Sequence, residues 1–441
     1  MKVNLTEIPG SIVAPQGFSA SGVFCDIKRL GTGKGSDKGP KRDLALIVSQ
    51  VPAAVAGMFT TNQICAAPVK ICAQRVRKGS ARAIVINSGN ANACTGKQGL
   101  ADALEMVGFT EQALNLAPGS ALVGSTGRIG VTLPMDQVRA GIIEAAVELG
   151  SKPARAAQAA EAIMTSDTRP KQIAVEFSLG GKRVRIGGIC KGAGMIQPGM
   201  SGTGKRPAAA PLHATMLCFL TTDAKIDPKL LQTALESAVA NSFNRITVDG
   251  DMSTNDTVLV LANGLAGPRV QSLTSSEFAA FRTALSHVCL GLAKMIVRDG
   301  EGVSRFVTVR IAGAKSFADA DAAARAVANS ALVKTSWCGG DPNWGRIIDS
   351  LGYSSARVVE DKVDIGYSAP KSRSILWSLK RGQPTKVGFK DLCAAVAPKE
   401  FDLHIRLNLG QASALLYAAD LTEEYVQFNK GDVSDPHSLG G

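Results

Sequence analysis

The chain has 441 residues, 45% of them apolar and 5% aromatic, with a formal net charge of +12. That length exceeds the usual single domain, so one large or two domains are expected around a core of Val, Ile, Leu and Ala. The basic residues are scattered and do not alternate with aromatics, which argues against a nucleic-acid-reading module and for an enzyme acting on small acidic metabolites.

The nine cysteines are odd in number and form no C-x-x-C pair, as suits reduced thiols buried as small hydrophobes in a cytosolic protein. The four histidines (His213, His287, His404 and His437) have no metal spacing, so zinc chemistry is not expected. No stretch reads as long enough to span a membrane, and the start MKVNLTEIPG lacks a signal-peptide pattern. The expected location is the cytoplasm, with no membrane and no nucleic-acid partner.

In chain order, residues 30–43 (LGTGKGSDKGPKRD) read as a surface loop. LALIVSQ at 44–50 reads as a buried strand and AAVAGMFTT at 53–61 as another. ARAIVINSGNANACTG at 81–96 begins as a buried strand and runs into Asn87, Ser88, Gly89, Asn90 and Asn92. Amides and glycines at a strand end suit a turn that bonds its own backbone, and equally the polar wall of a site. A helix is expected at 99–107. In VGSTGRIG, Thr126 and Gly127 form either a plain turn or a hydroxyl and an amide aimed at one point, as in an oxyanion hole.

Helices are expected at 135–149 and 153–164, the latter followed by TSDTRPK, where Pro170 prevents continuation. IAVEFSLGGKRVRIGGI at 173–189 alternates on both sides of Gly180-Gly181 and reads as a β-hairpin. Asp227 and Pro228 read as N-cap and first residue of a helix at 228–241, and a strand follows at 257–262. Thr274 and Glu277 read as a capping box for a helix to about 296, and 318–334 as one further helix. The mixture of helices and strands gives the α/β (α+β) class. The hydrophobic rhythm resets near residue 265, which places the expected domains at 1–265 and 266–441.

The stretch 186–224 carries the chemistry. Gly199, Gly204 and Lys205 imitate a phosphate-binding loop, but Arg206 stands where Ser or Thr would hold magnesium. Pro207 and Pro211 also prevent the helix that would face a phosphate. With no G-x-S-x-G elbow and few histidines, a Ser-His-Asp triad is hard to assemble. An N-terminal threonine whose own α-amine serves as base needs no histidine. Ala214-Thr215 is a candidate for its creation: alanine leaves room for the hydroxyl to attack, and MLCFL beyond it reads as a buried strand.

The segments INSGNANACTG, VGSTGRIG, IGGICKGAGMI, ATMLCFLTTDA, NSFNRITVDGDMSTNDT, IVRDGEG and DPNWGRI follow in this order. With them the chain resembles the ornithine acetyltransferase family, the self-cleaving glutamate N-acetyltransferases of arginine biosynthesis, from about Gly17 to Asn429. The resemblance implies a layered αββα sandwich with a smaller second α/β domain. It implies cleavage at Ala214–Thr215 into pieces 1–214 and 215–441, which assemble as a heterotetramer. Thr215 would carry the acetyl group, with Thr126 and Gly127 as the oxyanion hole. Thr165, Lys191, Glu301 and Asn429 match substrate-binding positions. The implied reaction moves acetyl from N-acetylornithine to glutamate without a cofactor, and some members also use acetyl-CoA.

Three departures stand out. About a dozen extra residues, 201–213, precede the cleavage step, and the favoured reading is harmless slack. Thr203 within it is a rival nucleophile without the M-L-x-F-x-T-T-D-A context. Ser434 replaces a substrate-binding threonine near the C-terminus, and the loop at 30–43 is long. The alternatives are an N-terminal-nucleophile aminopeptidase or amidase on a related fold, and an unprocessed, non-catalytic relative.

Overall fold

The computed structural model describes residues 3–28, 41–205 and 216–430. The chain forms two compact units. The first takes in Met1–Asn244 and Asp251–Ile296, the second Arg245–Gly250 and Val297–Lys430. Each unit holds one sheet with helices packed on it, in keeping with the mixed α/β class expected from sequence.

The strands of the first unit are β1 (Thr6–Glu7), β2 (Phe18–Val23), β3 (Leu44–Phe59), β4 (Ser80–Asn90), β5 (Ala121–Arg128), β6 (Lys171–Leu179), β7 (Lys182–Lys191) and β8 (Leu217–Ile226). After β9 (Ile246–Thr247), which belongs to the other unit, β10 (Thr257–Val270) completes the set. The sheet runs β1-β6-β7-β8-β10-β3-β4-β5, with β2 also paired to β3. Residue 265, where the hydrophobic rhythm resets, lies inside β10.

The two strands expected at 44–50 and 53–61 are one strand of 16 residues. Pro52, which lacks an N–H, falls where the pairing with β4 skips from Val48 to Ala53, so the missing donor costs no ladder bond there. The front of β3 pairs with β2 and β4, and its end pairs with β10. The hairpin of β6 and β7 is present as expected. Leu179 faces Lys182, and Gly180 and Gly181 turn at φ of 53° and 78°. Positive φ at both turn residues is the geometry that matches strand twist and favours glycine.

Helices Gly96–Ala113, Met135–Val147 and Pro153–Ala162 stand where the sequence places them, with the first longer at both ends. Pro228–Ala240 begins after Asp227, but the Asp227 side chain makes no capping bond and accepts from Arg269 at 2.6 Å instead. The expected Thr274 cap is also displaced. Phe278 N donates to Ser275 Oγ at 3.1 Å, while Thr274 pairs with Ser272.

The helix that follows, Ser276–Arg298, corrects the expectation that no segment has the length of a membrane span, since its 23 residues are long and apolar enough. Its apolar residues from Phe278 and Phe281 to Leu292 and Ile296 are buried within the protein, the pattern of a core helix.

The second unit adds β11 (Phe306–Ala314), β12 (Asp364–Ser368), β13 (Leu376–Lys380), β14 (Gln383–Pro384), β15 (Glu400–Arg406) and β16 (Ala412–Ala419), ordered β14-β13-β12-β15-β11-β16-β9. Its core is built around Phe401, with Trp337 and Tyr367 edge-on at 6.5 and 6.2 Å between ring centres. The single helix expected at 318–334 is two, Phe317–Asn329 and Ala331–Cys338. Ser330 separates them and caps the second, its Oγ accepting from Val333 N at 3.3 Å. In DPNWGRI, Asn343 caps the helix Trp344–Gly352 by accepting from Arg346 N at 3.0 Å.

Candidate active site

The candidate nucleophile Thr215, its neighbour Ala214, Ser434, and residues 206–213 of the insertion lie outside the described residues. So does most of the lysine- and glycine-rich loop, residues 29–40. The residue after Thr215 is well defined. Met216 is buried, its N–H donates to Asp256 Oδ1 at 2.5 Å, and its carbonyl accepts from Thr257 N at 3.0 Å. Register then carries the chain into the sheet, where Leu217 faces Lys191 on β7 and Thr257 on β10. The strand that begins here, LCFLTTDAKI, is buried at every position except Lys225. Burial on both faces suits a central strand. The chain is thus anchored from Met216 onward.

Thr126 and Gly127 end β5, in parallel register with Ser88 and Gly89 of β4. Thr126 is buried. Gly127 has φ of 131°, and a Cβ there would stand 2.3 Å from the Gly89 carbonyl carbon and 2.5 Å from Asn90 N. Glycine is required on both counts.

The polar run at the end of β4 is spent on scaffolding. Asn87 Nδ2 donates to Asn90 O at 2.8 Å, and Asn90 Nδ2 donates to the carbonyls of Val131 and Thr132 at 3.0 Å each. Asn92 Nδ2 donates to Gly99 O at 2.8 Å. These amides therefore brace the end of β4 against its own loop and against the carbonyls of Val131 and Thr132.

Asn255 joins this strand end to the next one. Its Nδ2 donates to Ala91 O at 2.6 Å and to Ser125 O at 2.8 Å, beside the Asp256 that holds Met216. One dipeptide therefore ties the ends of β4 and β5 to the start of β8. In the sequence the dipeptide stands inside the NSFNRITVDGDMSTNDT motif with no chemical signature of its own.

Thr165 and Lys191 meet through a residue that sequence reasoning also missed. Asp167 Oδ2 accepts from Thr165 N at 3.0 Å, while Oδ1 accepts from Lys171 Nζ at 2.5 Å and from Gly192 N at 2.7 Å. Lys171 and Lys191 are 1% and 3% exposed, so both ammonium groups sit in the interior. Burial alone would raise the Asp167 carboxyl, but the charges of Lys191 and Lys171 outweigh it and hold the group down at about 2. The Asp167 carboxyl therefore stays ionised at neutral pH.

In the second unit, Asn429 Nδ2 donates to Glu301 Oε2 at 2.9 Å and to Tyr425 O at 2.9 Å. The structure thus pairs two of the sequence-predicted substrate residues directly. The Asn429 side chain follows the short helix Glu423–Phe428, capped by Thr422, whose hydroxyl donates to Gly302 O at 2.6 Å.

Competing nucleophiles and bases fall away on chemistry. Burial pushes the Cys190, Cys218 and Cys289 thiols far up, so none is a thiolate beside the start of β8. Of the described histidines, His287 lies near Glu7 and His404 bonds Ser368 at 2.9 Å, neither touching a candidate residue. Among the described residues no group of three or more His, Cys, Asp or Glu could hold a metal ion.

The ArgJ family model matches residues 20–431. The "Arginine biosynthesis bifunctional protein ArgJ" of Symbiobacterium thermophilum is 46% identical over 425 residues, spanning 96% of this chain and 98% of that protein. The "Glutamate N-acetyltransferase" of Methanocaldococcus jannaschii is 42% identical over 427 residues, spanning 96% and 98%. Among solved structures, the ornithine acetyltransferase of Mycobacterium tuberculosis complexed with ornithine is 37% identical. It covers 45% of this chain and 100% of its own, with a TM-score of 0.40. With the family model matched over nearly its whole length and relatives above 40% identity on both sides of the candidate cleavage step, the chain belongs to the ArgJ family.

Proposed function

We propose that this chain is an acetyltransferase of arginine biosynthesis that frees its own catalytic threonine and then moves acetyl from N-acetylornithine to glutamate. In the first event Thr215 Oγ attacks the Ala214 carbonyl, the peptide bond breaks, and water hydrolyses the resulting ester. This releases the Thr215 α-amine.

In catalysis Thr215 Oγ adds to the acetyl carbonyl of N-acetylornithine and passes its proton to the α-amine. That amine protonates the departing ornithine nitrogen as the amide C–N bond breaks. Glutamate nitrogen then adds to the acetyl ester, the C–O bond breaks, and the proton returns to Thr215 Oγ. Thr126 and the Gly127 amide stabilise the oxyanion in both halves. Lys191 and Thr165, and Glu301 with Asn429, bind substrate groups, and Ser434 takes the role of the family threonine. The pieces 1–214 and 215–441 stay together as a heterotetramer in the cytoplasm.

The observation that carries this reading is the fixed start of β8. Met216 is clamped through both its N–H and its carbonyl by residues 256 and 257. The residue that follows Thr215 is thus held in place, and holding groups beside a reaction centre can lower a barrier by several kcal/mol, up to about 7–11.

Intact mass and N-terminal sequencing of the purified protein test the reading. The expected result is two pieces, the second beginning at Thr215, with acetyl transfer from N-acetylornithine to glutamate. Thr215→Ala should remain one chain of about 46 kDa and lose transfer entirely. Acetyl release that ignores added glutamate would instead mark a hydrolase. Glutamate acetylation from acetyl-CoA, measured in the same preparation, reports the companion activity.

A further inference from the structure

We infer that Asp167 is a positioning residue for the transfer reaction, acting through Lys191 and Thr165 to set the cation that receives substrate. The inference rests on the acetyltransferase reading above.

The carboxylate stands at the centre of four groups from three parts of the chain. Thr165 N reaches it from the segment before β6, Lys171 Nζ from β6 itself, and Gly192 N from the residue after β7. Lys191, the last residue of β7, lies close enough that its charge is the strongest influence holding the carboxylate ionised. Both oxygens are engaged, so the carboxylate cannot rotate without breaking a bond. Its fixed negative charge therefore fixes where a neighbouring ammonium is most stable. Lys191 in turn faces Leu217, two residues past the candidate nucleophile. A carboxylate between a substrate cation and a substrate hydroxyl residue thus sets both relative to the start of β8.

Lys171 serves the carboxylate rather than the substrate. It is 1% exposed, and its strand partner is Cys190, not Lys191. Removing only the Asp167 charge would leave Lys171 and Lys191 buried near one another without their common counter-charge. Buried like charges disfavour the charged form. Lys28 also faces this region, together with Asp43 and Glu161, and burial holds its ammonium down at about 8 despite them. The Cys190 thiol faces the same groups and stays protonated.

The test compares wild type, Asp167→Asn and the double variant Asp167→Asn with Lys171→Met. Two readouts are taken from pH 6 to 9.5: calorimetric binding of L-ornithine, which needs no turnover, and kcat and KM for N-acetylornithine. Expected for Asp167→Asn is binding weakened at least 10-fold and KM raised to match, with kcat within about threefold. The alkaline limit of binding should move down by a pH unit or more. In the double variant, removing the opposing ammonium should return the alkaline limit towards wild type, which a merely structural role for Asp167 would not do.

An unchanged pH profile in Asp167→Asn overturns the inference. So does a fall in kcat at constant KM, or loss of folding in both variants. Wild type that binds ornithine but transfers nothing to glutamate would sink the acetyltransferase reading alone, leaving the binding comparison to decide Asp167. Wild type that neither binds nor transfers would sink both.

Discussion

In the first unit the candidate residues are interior groups wired to one another. Thr126 and Lys191 are buried, Gly127 is pressed against Gly89, and Asp167 receives three hydrogen bonds. In the second unit Glu301 is half-buried, Asn429 is exposed, and one 2.9 Å hydrogen bond joins their side chains. Interior groups that clamp several strands contribute to stability as well as to chemistry, because a lost partner leaves buried polar atoms unsatisfied. Exposed groups cost little to remove, so their effects belong to binding. The contrast predicts that substitutions in the first unit cost stability as well as activity, whereas those in the second change affinity alone.

Gly127→Ala is the strongest test on the first side. The methyl group must displace the backbone of Gly89 and Asn90 from 2.3 and 2.5 Å, at a φ of 131° that L residues rarely adopt. Overpacking and backbone strain each cost about 1–3 kcal/mol, a large part of a typical stability. The expected outcome is a melting temperature lowered by several degrees and a kcat reduced at least 100-fold in whatever protein folds. Both are read from a thermal melt and the transfer assay. Near-normal kcat in a stable Gly127→Ala protein would remove the oxyanion role from this amide.

Acid titration offers a second, smaller measure of the same wiring. The Asp167 carboxyl is held at about 2 against an ordinary 3.8. Its folded pKa is depressed, so its contribution to stability is complete above the ordinary value and is lost as pH falls towards 2. A depression of that size corresponds to on the order of 2 kcal/mol. Urea unfolding of wild type and Asp167→Asn should differ by a constant amount at pH 5 and above, with the gap narrowing from pH 4 to pH 2. A gap that persists unchanged to pH 2 would mean that shape, not charge, holds Asp167.

Much of this was legible where structure depends on neighbours in sequence. The Gly180-Gly181 hairpin and the helices at 135–149 and 153–164 follow from local pattern. What escaped depends on distant partners. Two strands are expected at 44–50 and 53–61, yet β3 continues through because the irregularity against β4 falls at Pro52, the residue lacking a donor. Ser275 takes the cap expected of Thr274 because only its Oγ accepts from Phe278 N.

The same holds at the site. Thr126, Gly127, Lys191 and Glu301 stood in recognisable motifs. Asp256 and Asn255 gave no signal of their own, since their partners lie 40 and 164 residues away, and the near partners of Asp167 are joined by Gly192, 25 residues on. A polar or acidic residue in a loop ordinarily reads as a solvated surface group, and only the fold turns these three inward.

The second unit should yield the smallest and cleanest effects. Glu301→Gln keeps the size of the side chain and leaves an amide that can still meet Asn429, but removes the negative charge. Asn429→Ala removes the 2.9 Å partner and leaves the charge in place. Both positions are accessible, so neither change strands a buried group, and thermal melts should stay within about 1–2 °C of wild type, as expected for changes of ±0.5 kcal/mol. If Glu301 meets a cationic substrate group, Glu301→Gln should raise KM for N-acetylornithine about 10–100-fold, in the range of a lost hydrogen bond to a charged group of about 1.5–3 kcal/mol. Asn429→Ala, which only frees the carboxylate to wander, should raise KM by less than about 10-fold, within the range of one neutral hydrogen bond. That ordering distinguishes a charge that binds from an amide that aims it. Equal effects from the two variants would make the pair a single unit of recognition. A larger effect from Asn429→Ala would mean that the amide, not the carboxylate, meets the substrate.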